Sequence, residues 1–235
     1  MNRYFFLTAL VTISLFLAGC SMHPPQHGEE MSSKAEQNLP GDVYLLKGLF
    51  NIFSLGMDDI GENLQEKGLK AGVYAGPSWR SLAGQIVEIR AQAEQDTLLV
   101  ISGHSYGADD AIRLARALNQ HGVVVDALVL VDPTTPPKIP VNVRRCINIY
   151  RSQPATDWMP WLRGVPVEGE NQSTLVINRD LRTSGQHEDL LEDLNHFNIE
   201  DIPAIQEMVV EEIVAVFQAN EDRITMVNQA LRERR

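Results

Sequence analysis

Gly103-His104-Ser105-Tyr106-Gly107 is the segment of this chain best suited to covalent chemistry. A G-x-S-x-G pattern fits a serine on a sharp turn from strand to helix, where bulky neighbours would collide. An apolar run at residues 97–101 precedes it and a helical pattern follows from residue 108, which is the context the pattern demands. A serine hydroxyl is a poor nucleophile at neutral pH. It needs a base within hydrogen-bond reach, and the base needs an acid to orient it. Three histidines follow Ser105: His121, His187 and His196. His121 ends the helix that the pattern opens, where capping of backbone carbonyls is a sufficient role. The acid candidates are Asp132, directly after the apolar run Ala127-Leu-Val-Leu-Val131, and Asp157, in a loop rich in Pro and Trp. A site that needs accurate geometry favours the rigid strand end, and so Asp132 over Asp157, with the choice between them open. Asp109 and Asp110, in the first turn of the helix after Ser105, read as partners of the helix dipole.

The elements that must position these residues alternate regularly. Strands are expected at residues 43–46, 71–74, 97–101, 123–131, 146–150 and 174–177. Helices are expected at 57–67, 82–93, 108–119 and from about 203 to the end. Such alternation means βαβ units and a parallel sheet. Strands apolar on both faces mean helices cover both sides. Ligand sites in such sheets lie at the carboxyl ends of the strands.

On the elbow pattern and its setting, the chain resembles the α/β-hydrolase family, and within it the lipases and thioesterase-like members. The resemblance covers roughly residues 41–218. It implies a reduced α/β-hydrolase fold, since little sheet can precede Val43. It also implies the chain order Ser, acid, His, with the histidine on a loop between the last strand and the last helix. That placement favours His196 over His187. The expected triad is therefore Ser105, His196 and Asp132, acting as a serine esterase, lipase or thioesterase without metal or cofactor. The oxyanion donors implied are the backbone N–H of Tyr106 and, from the loop Lys47-Gly48-Leu49-Phe50-Asn51, that of Leu49. Family members commonly carry His-Gly where this chain has Lys47-Gly48.

Residues 133–142 are too few to carry a helical lid, so an open site without a large lid is expected. The longest irregular stretch, residues 151–173, holds Trp158, Met159, Trp161 and Leu162. Trp158 and Trp161, with Phe50, are candidate substrate-binding residues forming an acyl wall; packing of the tryptophans onto the core is the equal alternative.

Composition narrows the partners. The net charge of −11 argues against nucleic acid, whose phosphates need a basic face. The chain opens with Arg3, a mostly apolar run at 5–17 and Leu17-Ala18-Gly19-Cys20. This is similar to a bacterial lipoprotein signal peptide, residues 1–19. It implies acylation of Cys20 and, with Ser21 following, anchoring to the outer membrane, facing the periplasm. Residues 20–40 read as a flexible tether and 41–235 as the hydrolase domain. Cys146 is the one other cysteine, read as an inert buried thiol in a strand. An acyl ester or thioester, small or lipid, is the expected substrate. An amidase or peptidase on the same triad and a non-catalytic envelope lipoprotein remain the alternatives.

Overall fold

The computed structural model describes residues 41–48, 55–93, 97–155, 157–159, 163–185 and 194–233. The signal segment, Cys20 and the tether lie outside these residues. So do Leu49, Phe50, Trp161 and His187.

Six strands form one sheet: β1 (Gly41–Lys47), β2 (Lys70–Ala75), β3 (Leu98–His104), β4 (Val125–Val131), β5 (Val143–Tyr150) and β6 (Leu175–Asp180). Their order is β2-β1-β3-β4-β5-β6, and every neighbouring pair is parallel. The helices are α1 (Gly56–Glu66), α2 (Trp79–Gln92), α3 (Tyr106–Asn119) and α4 (Pro203–Glu233). This is a three-layer α/β fold with an all-parallel sheet, and residues 132–142, which join β4 to β5, leave no room there for a lid.

The period of two in the strands sorts the core into two layers. Val43 and Leu45 of β1, Ala127, Val129 and Val131 of β4, and Ile147 and Ile149 of β5 face one side. There they meet Met57, Ile60 and Leu64 of α1 and Ile205, Val209, Ile213 and Phe217 of α4. Tyr44, Leu46, Leu99, Ile101, Leu128, Leu130 and Cys146 face the other side, against Leu82 and Ile86 of α2 and Ile112, Ala115 and Leu118 of α3. Helical spacing of the apolar residues thus fixes which stripe of each helix is buried. Gly68 (φ 85°) and Gly122 (φ 69°) end α1 and α3 in the left-handed conformation that glycine adopts most easily.

Five strands are longer than the apolar runs foretold, and in β5 and β6 most of the added residues are polar or charged. β5 begins at Val143, because Arg144 pairs with Asp126 (2.6 Å) and Arg145 with Glu212 (3.1 Å). β6 runs to Asp180, because its polar half is bonded: Asn148 donates to Asn178 (2.9 Å), Arg179 pairs with Glu212, and Ser152 donates to Asp180. Charged residues on an edge strand also discourage pairing with another chain.

The strand order also locates the crevice. The chain leaves β1 toward β2 on one side, then returns to place β3 on the other. The carboxyl ends of β1 and β3 therefore flank the point where the winding reverses, the place where open α/β sheets bind ligands.

Candidate active site

Ser105 follows β3 and caps the start of α3, with φ 56° and ψ −126°. A side chain at such a φ is strained, and it is held by its surroundings. Ser105 N–H donates to Val131 O (2.9 Å), and its carbonyl accepts from Ala108 and Asp109 at the first turn of α3. The turn is as tight as the glycines suggest. A Cβ on Gly103 would lie 2.4 Å from Gly107 O, and one on Gly107 would lie 2.3 Å from Leu46 O. The elbow is therefore wedged between its own helix and the end of β1.

Sheet register brings the acid alongside. His104 pairs with Val131, so Ser105 and Asp132 each stand one residue beyond a matched pair on neighbouring strands. Adjacent strands are about 4.8 Å apart, which is one side chain's reach from a common base. Asp132 also has a positive φ, 50°. Its Oδ1 accepts from Arg151 N–H (3.0 Å), and its Oδ2 lies 2.6 Å from His196 Nδ1. His196 Nε2 lies 2.9 Å from Ser105 Oγ. All three side chains are buried, Ser105 the most open at 8% exposure. The structure thus joins Ser105, His196 and Asp132 in one hydrogen-bonded line. Asp157 is not on that line: its Oδ1 accepts from Gln153 N–H (2.9 Å) within its own loop.

His196 sits on a turn before the short 3-10 helix Ile199–Asp201 that leads into α4. Asn195 Oδ1 accepts from Phe197 N–H (2.9 Å), and Arg151 donates to Leu194 O, tying the turn to the end of β5. With Nδ1–H donated to the Asp132 carboxylate, Nε2 is left as an acceptor for the Ser105 hydroxyl proton. The line can therefore take a proton from Ser105 Oγ as that oxygen attacks an electrophilic carbon. Tyr106, the first residue of α3, follows Ser105 directly, at the helix end whose dipole favours negative charge. Gly48, at the end of β1, is the other wall: a Cβ there would lie 3.8 Å from Ser105 Oγ. The loop expected to supply the second donor thus leaves β1 beside the serine, although Leu49 itself falls outside the described residues.

Two assignments change. Asp109 does not serve mainly as a dipole partner. It is fully buried and accepts from the backbone and hydroxyls of Thr134 and Thr135 at 2.8–3.2 Å, clamping the loop that follows Asp132. Burial raises its pKa, while the bonds from Thr135 and Thr134 oppose that rise. Trp158 is 73% exposed, with its indole N–H on Ala155 O (3.1 Å), so it neither packs onto the core nor forms an enclosed wall. Among the described residues the aromatic ring that meets the line is Phe197, edge-on to His196 at 5.7 Å and 63% exposed. His121 is exposed at the far end of α3 from Ser105. Burial pushes the Cys146 thiol far up, in keeping with an inert core position.

Gly164 is a residue that sequence reasoning passed over. A Cβ there would lie 1.7 Å from Asp132 Oδ1. Gly164→Ala must displace the carboxylate or the loop. Overpacking of this kind costs roughly 1–3 kcal/mol, which lowers Tm by roughly 2–10 °C in a domain of this size. The same variant lowers kcat, because the displaced carboxylate is the one on His196. Thermal melts and ester turnover on the purified variant check both effects; an unchanged kcat would remove Gly164 from the site.

No family model matches this chain, and no curated protein matches it. Among solved structures it is similar to the NocB thioesterase domain from the nocardicin cluster, with 13% identity, 76% of this chain and 94% of that one covered, and a TM-score of 0.45. It is also similar to the esterase domain of a Rhodothermus marinus protein, with 11% identity, 77% and 86% covered, and a TM-score of 0.44. A third similar structure is Est1E from Butyrivibrio proteoclasticus, with 10% identity, 79% and 90% covered, and a TM-score of 0.42.

Proposed function

We propose that this chain is a serine hydrolase that cleaves an acyl ester or thioester through Ser105, His196 and Asp132. The observation that carries the reading is the line from Ser105 Oγ to His196 Nε2 (2.9 Å) and from His196 Nδ1 to Asp132 Oδ2 (2.6 Å), with its two outer members on strained backbone. Strain of about 1–3 kcal/mol per residue persists where the surroundings over-determine it, and it clusters at active sites.

The steps follow from the geometry. Ser105 Oγ attacks the acyl carbon while its proton passes to His196 Nε2. The imidazolium that forms is held by the ionised Asp132. Tyr106 N–H, joined by a donor from the loop after Gly48, stabilises the oxyanion. The bond to the leaving alkoxide or thiolate breaks, and His196 returns the proton to it. Water, deprotonated by His196 in its turn, then releases the acid and restores Ser105. The exposed ring of Phe197 beside His196 offers an apolar surface at the mouth, consistent with an acyl substrate.

Labelling of the full chain in detergent with a fluorophosphonate probe tests the reading. Wild type is expected to label, and Ser105→Ala is expected not to. Folded wild type that fails to label would favour a binding lipoprotein of this fold.

The same reading includes anchoring at Cys20 to the outer membrane, supported by the run at 5–17 and Leu17-Ala18-Gly19-Cys20. Gly41 pairs with Leu98 at the amino end of the sheet, while Ser105 follows the carboxyl end of β3. A seven-residue strand spans about 20 Å, so the tether joins the domain at the end opposite the site. Cys20→Ala should abolish uptake of labelled palmitate and release the chain from membranes on fractionation. Unchanged palmitate uptake would refute this part.

A further inference from the structure

A second histidine lies against the first. His104, the residue before Ser105, is 5% exposed, and its ring centroid is 5.6 Å from that of His196. Its Nε2 is 3.2 Å from the backbone carbonyl of His196. A carbonyl only accepts, so Nε2 must carry a hydrogen and donate. Its Nδ1 is 3.0 Å from Glu200 Oε1, and Glu200 is 2% exposed. A bare ring nitrogen and a carboxylate oxygen would repel each other at that separation. One proton must therefore lie within the pair.

The two residues come from different parts of the site. His104 is the last residue of β3, directly before the nucleophile. Glu200 lies four residues after His196, in the 3-10 turn that precedes α4. Glu200 is held on its own side: its backbone carbonyl accepts from Gln206 Nε2 (3.0 Å), and a Cβ on Gly56 of α1 would lie 2.0 Å from that carbonyl. The segment bearing Glu200 is thus fixed by α1 and α4, and His104 is fixed by the sheet. The main chain of His196 is caught between them.

Resting on the triad reading above, we infer that His104 and Glu200 are a positioning pair. Their shared proton pins the backbone of His196 to the end of β3 and so keeps Nε2 in reach of Ser105 Oγ. Neither residue touches the reacting atoms. The pair acts through the placement of His196, where a displacement of about 1 Å can cost on the order of 10²-fold in rate.

The groups around His104 set the direction of its titration. Burial works to lower its pKa. The Glu200 carboxylate, the charge of Asp132 and the His196 carbonyl together outweigh burial and hold it above the ordinary histidine value. Asp201 stands beside Glu200, with its Oδ1 accepting from Gly56 N–H (3.1 Å), and Asp59 of α1 lies beyond, accepting from Gln206. A raised folded pKa means the proton is held to higher pH than on a free histidine and is lost as pH rises. The consequence is a fall in kcat on the alkaline side.

The test compares wild type, Glu200→Gln and Glu200→Ala as full chains in detergent, on a p-nitrophenyl acyl ester from pH 6 to 9.5. In Glu200→Gln the amide donates to His104 Nδ1, so the bridge persists with no titrating proton. It should keep kcat at pH 7 within about threefold of wild type, since the pinning contact is retained, and lose the alkaline fall. Glu200→Ala should lower kcat by roughly 10–100-fold with KM within about twofold, as for a positioning defect. An alkaline fall that persists in Glu200→Gln, a wild-type profile with no alkaline fall, or an unchanged kcat in Glu200→Ala overturns the inference. Should Glu200→Ala not fold, the isosteric Gln variant decides alone. Failure of the triad reading is a separate result: wild type would then not label with fluorophosphonate.

Discussion

Ser105→Ala lowers kcat by on the order of 10⁶-fold while leaving the fold almost intact. The size of the loss follows from the role: without Oγ there is no acyl-enzyme, and only the oxyanion donors and substrate binding remain to act on water. The small effect on stability follows from the contacts. Among the described residues the Ser105 hydroxyl bonds only to His196 Nε2, whereas the strained turn is held by its backbone, through Val131 O and the first turn of α3. Alanine keeps those bonds and the small Cβ that the elbow tolerates. The cost is one unmet acceptor on His196, about 1 kcal/mol or less. That is roughly 2–4 °C in Tm for a domain of this size. Single-turnover hydrolysis of an activated ester, with a thermal melt of the same sample, reads both. A variant that melts like wild type and still hydrolyses at more than about a hundredth of its rate would show that another group is the nucleophile, since loss of the true one leaves far less than that.

The pattern around Ser105 was legible because its cause is local. Two glycines at fixed offsets, an apolar strand before and a helix after are all written within a dozen residues, and the structure closes them into one elbow. The six strands and four helices were legible for the same reason, since each announces its own period. Their ends were less so where charged residues are satisfied across strands, as at Arg145 and Arg179 on Glu212. What sequence could not give is contact between distant segments. His104 reads as the arbitrary residue of its motif, and Glu200 as one acid among many near the C-terminus. Nothing in either says that they meet. Gly164 sits in an irregular stretch with no period at all, yet its missing side chain is the space that the Asp132 carboxylate occupies. Asp109 reads as a helix-start acid because that is what its position suggests; only the packing of Thr134 and Thr135 above it shows a different use. The choice between Asp132 and Asp157 was open for a similar reason, because both follow a strand. It turns on register, which places Asp132 one residue beyond the Val131 pair with His104.

That choice yields the second large effect: Asp132→Asn lowers kcat by on the order of 10⁴-fold, and Asp157→Asn does not. The argument rests on which way the new amide must point. In the native site Asp132 accepts twice, from Arg151 N–H on Oδ1 and from His196 Nδ1–H on Oδ2. Asparagine has one acceptor and one donor group to offer in those two places. Arg151 N–H can only donate, so the amide oxygen must face it. The amide NH₂ then faces His196 Nδ1 and forces that nitrogen to accept. The imidazole hydrogen moves to Nε2, where it meets the Ser105 hydroxyl, and the histidine can no longer take the proton. The distances need not change for the site to fail, so a melt should show little while turnover collapses. Among the described residues the Asp157 side chain accepts from Gln153 N–H, and asparagine can keep that bond by presenting its oxygen. Its variant should stay within about twofold of wild type, as expected for a residue outside the proton path. Measuring kcat for both variants on one ester separates the two residues. Near-normal turnover in Asp132→Asn, or a collapse in Asp157→Asn, would move the acid to the other loop and leave the 2.6 Å contact on His196 as structure without catalysis.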